Sequence, residues 1–219
     1  HENLLLFHVD VTNKIIELYK LFINKKQIQN TPASGIINSV SLFTLSKEKE
    51  VFKMEQNFSL LPVHTDKQIQ EISNLASVIW HEHFTPIIGI QQVEYMLEKF
   101  QSFHALKEQM ETGYEYFQIF DNTEFCGYCG IHQEETTLFL SKLYLKKEAR
   151  NRHLSTKTIQ YLKTLCQKRG LSSIWLTCNK YNTNTLAVYH HLGFETVRSQ
   201  VADIGNGYVM DDYILECRV

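Results

Sequence analysis

The sequence predicts a mixed α/β fold: a central, mostly antiparallel sheet with helices on both faces and one parallel strand-helix-strand crossover. Stretches of alternating apolar residues, of strand length, recur from residue 58 to the end of the chain, and stretches with one apolar helical face lie between them. Most neighbouring strand candidates are joined by short polar turns, as in antiparallel hairpins. One pair is separated by a helix, which is the pattern of a parallel crossover.

The first half of this pattern contains one strand and up to three helices. "FSLLPV" alternates as a strand does, and Thr65 or Asp66 can cap the helix that follows it. That helix is indicated by apolar residues on one face at positions 69, 72, 75, 76 and 79. It is predicted over 65–84, and shorter helices are predicted over 90–102 and 104–113.

The second half contains six strand candidates and two helices. Gly170 follows the basic end of one helix and Gly193 follows the other, as expected for helix C-caps. The turn "IGNG" separates the last two strands. The predicted strands are 114–121, 124–132, 137–145, 172–179, 194–203 and 207–219, and the predicted helices are 155–169 and 182–193.

Composition limits the classes of function. The chain has 219 residues, 43% of them hydrophobic, which is enough for one sizeable core. A net charge of −2 argues against nucleic acid as the main partner. No run of about 18 apolar residues predicts a membrane span, and "LLLF" is too short for the apolar part of a signal peptide. A cytoplasmic protein that binds neither nucleic acid nor membrane is therefore expected.

The cysteine and histidine clusters do not predict a redox or metal site. Cys126 and Cys129 have the spacing of a thioredoxin-type pair, but they lie in a predicted strand, where residues three apart point to opposite faces. The two sulfurs are then expected neither to bond nor to share a metal ion. "HEHF" at 81–84 would need a second histidine at position 85, which is Thr85.

The N-terminal region has two interpretations. Met54 is the first methionine, and Lys49-Glu50-Val51 can be encoded by a purine-rich sequence like a bacterial ribosome-binding site. One hypothesis is that the native protein starts at Met54, so that residues 1–53 are a non-native extension and 54–219 form the domain. The other is a genuine N-terminal element, because "VTNKIIELYKLFIN" has one apolar helical face.

The most specific stretch is "LTCNKYNTNTLAVYHHLGF", residues 176–194. It resembles the coenzyme-binding motif of GNAT-superfamily N-acetyltransferases, in which a strand ends in an Asn-containing turn and a short helix carries a tyrosine before "LGF". The resemblance extends over most of residues 54–219. "VEYMLEKF" and "DIGNGYVMDDY" are similar to a bacterial subset that includes polyamine-type acetyltransferases. The resemblance implies a GNAT-like sheet, acetyl-CoA as co-substrate and no metal.

The resemblance also implies where the coenzyme pyrophosphate binds. The family places it on backbone N–H groups at a helix start, in a loop written Arg or Gln, two residues, Gly, one residue, Gly or Ala. The six matching positions here are Arg150, Asn151, Arg152, His153, Leu154 and Ser155. Both glycines are missing, but every residue keeps its N–H because the loop has no proline. We expect the loop to hold the pyrophosphate, with the two arginines adding charge and His153 as the main obstruction.

By the same resemblance, Asn182 contacts the coenzyme and Tyr189 donates a hydrogen bond to the departing thiolate. Tyr189 lies two helical turns after Asn182, so both side chains should project on similar faces about 10 Å apart. The backbone of Leu143, Tyr144 and Leu145 is expected to bind the pantetheine arm and to direct one N–H at the oxyanion of a tetrahedral intermediate.

The acceptor is expected to be a primary amine, which is protonated at neutral pH and needs a base before it can attack. Glu82 is the first candidate for this base, and His81, His83, Asp211 and Asp212 are further candidates. These last four residues are also assigned to acceptor binding, because acidic groups attract a cationic amine. A small amine, a polyamine and a peptide all stay open as acceptors, and so does a homodimer. The alternative from another class is a degenerate fold that serves as a coenzyme-binding or protein-interaction module.

Overall fold

The computed structural model of the protein describes residues 58–219, so the N-terminal extension of residues 1–53 and the proposed start at Met54 lie outside the described residues. Seven strands and five helices make up this part of the chain. The strands are β1 (Phe58–Pro62), β2 (Tyr114–Asp121), β3 (Glu124–Gln133), β4 (Thr137–Leu145), β5 (Ser173–Asn179), β6 (Glu195–Gly205) and β7 (Tyr208–Arg218). The helices are α1 (Asp66–Ile88), α2 (Ile90–Gln101), α3 (Phe103–Glu111), α4 (Leu154–Arg169) and α5 (Thr183–His191).

The seven strands form one sheet in the order β1-β2-β3-β4-β5-β7-β6. Every neighbouring pair is antiparallel except β4 and β5, which are parallel and are joined through α4. The predicted mixed α/β fold with a single parallel crossover is therefore confirmed.

The predicted elements differ from the observed ones by one or two residues at most ends. The exception is α1, which was predicted to end at Phe84 and instead continues to Ile88 through Pro86. It ends only at Gly89, whose φ of 81° is a conformation that glycine adopts readily and other residues rarely do. The Gly89 N–H donates to the Thr85 oxygen. At the other end, Thr65 is the N-cap and exchanges hydrogen bonds with Gln68 in a capping box.

The core has one layer on each face of the sheet. On one face α4 and α5 pack on β2 to β5 and β7 through buried aliphatic residues such as Ile159, Leu162 and Leu176. On the other face α1, α2 and α3 pack through Ile72, Trp80 and other residues, together with tyrosines of the sheet. None of the described helices is long and apolar enough to cross a membrane.

The expected orientation of the cysteine pair is wrong. The pairing of β2 with β3 shifts between Ile119 and Phe120, so that Cys126 is an extra residue of a β-bulge. The bulge changes the alternation, and Cys126 and Cys129 are both fully buried in the layer under α4 and α5. Both are free thiols, and burial raises the pKa of each, so they remain protonated core residues.

Candidate active site

The candidate site is a cleft that opens where β4 and β5 separate. The two strands pair through only three residue positions, the last of which joins Phe139 to Trp175. Beyond that point the edge of β4 that faces β5 has no strand partner within residues 58–219. A cavity of about 1560 Å³ fills the gap and is lined by residues from both faces of the sheet.

A second β-bulge accompanies the separation. The pairing of β4 with β3 shifts so that Ser141 is an extra residue between Leu140 and Lys142. Farther along, Gly127 of β3 lies against β4 so closely that a Cβ would be 2.3 Å from the Tyr144 oxygen. The bulge bends β4 away from β5. Gly127 allows the C-terminal end of β4 to stay in contact with β3.

The start of α4 supplies free N–H groups to this cleft. The first intrahelical hydrogen bond is donated by the Lys157 N–H to the His153 oxygen, at 3.0 Å. The N–H groups of Leu154, Ser155 and Thr156 therefore have no acceptor inside the helix, and no side chain caps it. All three residues line the cavity. Together with the helix dipole, these groups are suited to bind an anion.

The loop before α4 has the backbone conformation that glycine favours. Asn151 has φ of 63° and His153, at the position of the family's first glycine, has φ of 59°. Both are left-handed conformations, which cost an L-residue other than glycine about 1 kcal/mol or more. Ser155, at the second glycine position, lies inside the first turn of α4 and needs no such conformation. Only the first missing glycine therefore has a conformational cost.

The two arginines of the loop have different surroundings. Arg150 lines the cavity, and its Nε donates to the Leu145 oxygen at 3.4 Å. Arg152 does not line the cavity, because its guanidinium pairs with Glu124 at 3.1 Å and with Asp121 at 3.4 Å. Of the two arginines, Arg150 alone thus adds positive charge to the cleft.

Asn182 and Tyr189 of the α5 region both line the cavity, as do Leu143, Tyr144 and Leu145 of β4. Asn182 is the N-cap residue of α5, but its side chain does not cap the helix and instead bonds with His83 in the cleft. Tyr189 is buried and packs edge-on against Phe194. Burial, with the nearby Cys178 and Tyr144, raises the pKa of Tyr189, which keeps its hydroxyl protonated as a donor.

His83 is the one α1 histidine that reaches the cleft. It lines the cavity and is half-buried. Burial lowers its pKa, the charge of Arg150 lowers it further, and a hydrogen bond with Asn182 opposes the shift. His83 is therefore neutral at pH 7 and lies close to Arg150 and Asn182.

Three other predicted residues point elsewhere. Glu82 pairs with Lys147 at 3.1 Å, and His81 pairs with Glu94 at 2.7 Å. Asp211 pairs with Lys180. None of Glu82, His81 and Asp211 lines the cavity.

Asp212 is the buried acid of the site. Adjacent residues of a strand face opposite sides, so Asp212 enters the cavity while Asp211 does not. Its side chain is 3% exposed, and its Oδ1 has no hydrogen-bond partner among the described residues. Burial raises its pKa from 3.8 to about 6, with a smaller contribution from Asp211. Asp212 also raises the pKa of Cys178 and Tyr144, so these groups lie close together.

Sequence reasoning missed Lys142, which lines the cavity and is 6% exposed. Its signal is visible in the sequence: a lysine interrupts the alternating apolar pattern of β4 after Leu138 and Leu140. Sequence reasoning also missed the aromatic wall that Trp80 and Phe84 form against Tyr144, with ring centroids 5.7 and 6.1 Å from it. These residues come from distant parts of the chain and no local motif groups them.

Comparisons with known proteins agree with this fold. The model of the acetyltransferase (GNAT) family matches residues 76–194. The PaiA N-acetyltransferase of Thermoplasma acidophilum, solved in complex with coenzyme A, superposes with a TM-score of 0.61 and 16% identity, over 74% of this chain and 99% of that chain. A spermidine N-acetyltransferase (SpeG) chimera from Vibrio cholerae and hSSAT gives 0.55 and 14%, over 74% and 95%. A ribosomal-protein alanine N-acetyltransferase from Escherichia coli gives 0.52 and 15%, over 74% and 94%. A search of curated proteins finds no significant match.

Replacing His153 with glycine should stabilise the protein by about 0.5–1 kcal/mol. The change relieves a left-handed backbone, and the greater entropy of glycine in the unfolded chain offsets part of the gain. Urea unfolding of both proteins measures the difference. The same change at Arg152, whose φ is not positive, is the control and should destabilise. A less stable His153→Gly variant would contradict the assignment of strain to this residue.

Replacing Asp212 with asparagine should stabilise the protein at pH 8 but not at pH 4. Because the folded-state pKa of this acid is raised, the wild type loses stability as pH rises from about 4 through about 6, by about 3 kcal/mol for a shift from 3.8 to about 6. Asparagine cannot ionise and avoids this loss. Denaturant unfolding of both proteins at pH 4 and pH 8 measures the effect. An equal difference in the free energy of unfolding at the two pH values would mean that burial does not destabilise the ionised Asp212.

Proposed function

The chain belongs to the GNAT family of acetyltransferases, and on that premise we propose that it transfers an acetyl group from acetyl-CoA to a primary amine. The observation that carries the proposal is the cavity between β4 and β5. One cavity is lined by the uncapped start of α4, the unpaired edge of β4, Tyr189 and the buried acid Asp212. It thus joins an anion site, a backbone edge, a proton donor and a proton acceptor.

Acetyl-CoA supplies the acetyl group as an activated thioester. The N–H groups of residues 154–156 and Arg150 suit its pyrophosphate, and the unpaired edge of β4 at 143–145 suits the amides of its pantetheine arm. Asn182 offers an amide beside them. The fold neighbour from Thermoplasma acidophilum was solved with coenzyme A, which supports this ligand for the present chain. The left-handed backbone of His153 counts against a degenerate module, because the loop keeps a conformation that glycine favours at a position where the family has glycine.

Asp212 is the proposed proton acceptor for the acceptor amine. An alkylamine of pKa about 10 is protonated at neutral pH and cannot attack until it loses a proton. An acid with a pKa of about 6 is ionised at neutral pH and is a stronger base than an ordinary carboxylate. We assign this role to Asp212 in place of Glu82, because Glu82 pairs with Lys147 outside the cavity. His83 lies close to Arg150 of the coenzyme loop, whose charge helps to lower the pKa of the imidazole.

Tyr189 is the proposed donor to the leaving sulfur. In the transfer, the amine nitrogen forms a bond to the carbonyl carbon, the carbon–sulfur bond breaks, and the thiolate needs a proton. Burial holds the phenol protonated, so it donates a hydrogen bond that strengthens as charge develops on sulfur. A location in the cytoplasm of a bacterium and assembly as a homodimer stay predictions of the sequence.

Titration of acetyl-CoA into the protein, followed by an amine screen, tests the proposal. Wild type should bind acetyl-CoA with a Kd near micromolar, about −8 kcal/mol, and should release free thiol when an amine is added. Tyr189→Phe should bind equally well, because the ring is kept, but should turn over at least tenfold more slowly. A folded wild type that does not bind acetyl-CoA would overturn the proposal. Unchanged turnover in Tyr189→Phe would remove this residue from the mechanism.

The pH dependence of kcat/KM tests the role of Asp212 separately. With an acceptor that carries no other charge, log kcat/KM should rise with a slope near two below pH 6, because acid and amine must both lose a proton. Above pH 6 the slope should fall to one, since only the amine still titrates. In Asp212→Asn the slope should be one throughout and the rate at pH 8 should be lower. An unchanged profile in the variant would show that another group takes the proton.

A further inference from the structure

Lys142 is an unusual residue to find in the wall of the cavity. Strand β4 directs it to the face covered by α1, α2 and α3, where it is 6% exposed. Its Nζ donates to Gln109 Oε1 at 2.6 Å and to Ser141 Oγ at 3.2 Å. The rings of Tyr116 and Tyr114 lie 5.3 and 5.8 Å from Nζ.

No negative charge accompanies this ammonium group. Within residues 58–219 no carboxylate lies within 4.0 Å of it, although an ammonium ordinarily enters a protein interior only with such a partner. An ammonium has three N–H donors, and the two hydrogen bonds leave the third without an acceptor in the described part of the chain. Burial alone lowers the pKa of Lys142 to about 7, which measures how poorly the charge is compensated.

Its neighbours hold the ammonium in a defined place. Gln109 of α3 donates from Nε2 to the Phe100 oxygen at 3.2 Å, which turns its Oε1 toward Lys142. The same Oε1 accepts a hydrogen bond from the Tyr116 hydroxyl at 2.7 Å. Gly130 makes room for this arrangement, because a Cβ there would be 2.7 Å from the Tyr116 ring. These oriented hydrogen bonds fix the position of the Lys142 ammonium group, which simple packing of the side chain would not require.

The remaining charges on this face of the cavity do not form an acidic pocket. Asp212 is the only buried carboxylate among the described residues that line the cavity, and Glu108 is exposed. Lys99 also lines the cavity, with its Nζ bound to the Ile204 oxygen at 2.6 Å. Two lysines and two acids offer no net attraction to a polycation, and a polyamine would bring further positive charge next to Lys142.

From this arrangement we propose that the acceptor amine carries a carboxylate, which Lys142 binds while Asp212 receives the proton of the amine. The inference rests on the proposed acetyl transfer and deepens it by naming the substrate class: amino acids or other amines that bear a carboxylate, rather than polyamines. A carboxylate would accept the free N–H of Lys142 in a charge-assisted hydrogen bond and would supply the missing negative charge. Lys142 is thus a specificity-determining residue for the reaction.

Matched acceptors test the proposal. Amino acids and their primary amides differ in the carboxylate and in the pKa of the amine that it influences. The amine contribution is the same for every variant, so the change in the ratio of their kcat/KM values between wild type and Lys142→Met reports recognition of the carboxylate. Wild type should prefer the acid over the amide by at least tenfold and should use spermidine less well than the acids. Lys142→Met removes the charge, keeps the length of the side chain and should abolish the preference by slowing the acid alone. Lys142→Arg should retain part of the preference.

Lys107→Met is the control, because this lysine of α3 pairs with Asp66 away from the cavity and its loss should leave the ratio unchanged. Equal use of acids and amides by wild type, better use of spermidine, or an equal loss for both acceptors in Lys142→Met would each overturn the inference while acetyl transfer stands. Failure to bind acetyl-CoA would overturn the proposed function. In that case the role of Lys142 is tested by titrating the amino acid and its amide into wild type and Lys142→Met. Binding that does not depend on the carboxylate would overturn the inference as well.

Discussion

The separation of β4 from β5 is the constraint on which the candidate site depends. Two parallel neighbours that pair over three positions and then diverge leave backbone groups of β4 without partners inside the sheet. Unpaired backbone groups in a protein interior are costly unless water or a ligand satisfies them. The fold maintains this opening through the bulge at Ser141 and the close contact of Gly127 with β4, while β7 occupies the other edge of β5. The cleft is therefore maintained by the backbone structure of the sheet itself.

The two faces of the sheet give the two ends of the cleft different chemistry. On the side of α4 and α5 the cleft has uncapped N–H groups, Arg150 and the amide of Asn182, all of which suit an anionic coenzyme. On the side of α1 to α3 it has an aromatic wall and two buried charges of opposite sign, Lys142 and Asp212. Burial makes both of these charges unstable, which shifts the pKa of each toward neutrality. Poorly compensated buried charges lower the stability of the folded protein and are typical of a site that binds a ligand or catalyses a reaction.

Much of the fold and half of the site could be predicted because their signals are local. The period of apolar residues locates strands and helices, and capping residues such as Thr65 and Gly170 locate their ends. The motif around Asn182 and Tyr189 lies within one turn and one helix, so it too is readable from a short stretch. Prediction was weaker where a side chain's direction depends on a bulge or on a partner distant in sequence. Cys126 illustrates the first case, and Glu82, paired with Lys147, illustrates the second.

Residue spacing along the chain was enough to predict the succession of strands and helices and the single crossover, and the resemblance to the family located the loop that precedes α4. Only the tertiary structure decided which charges enter the cleft. Asp211 and Asp212 are adjacent in sequence, yet the pleat of β7 sends one to Lys180 and the other into the cavity. Lys142 and Gln109 are 33 residues apart and meet only because α3 packs on the sheet. Burial and charge pairing are properties of the assembled layers, and they decide which of several similar side chains can do chemistry.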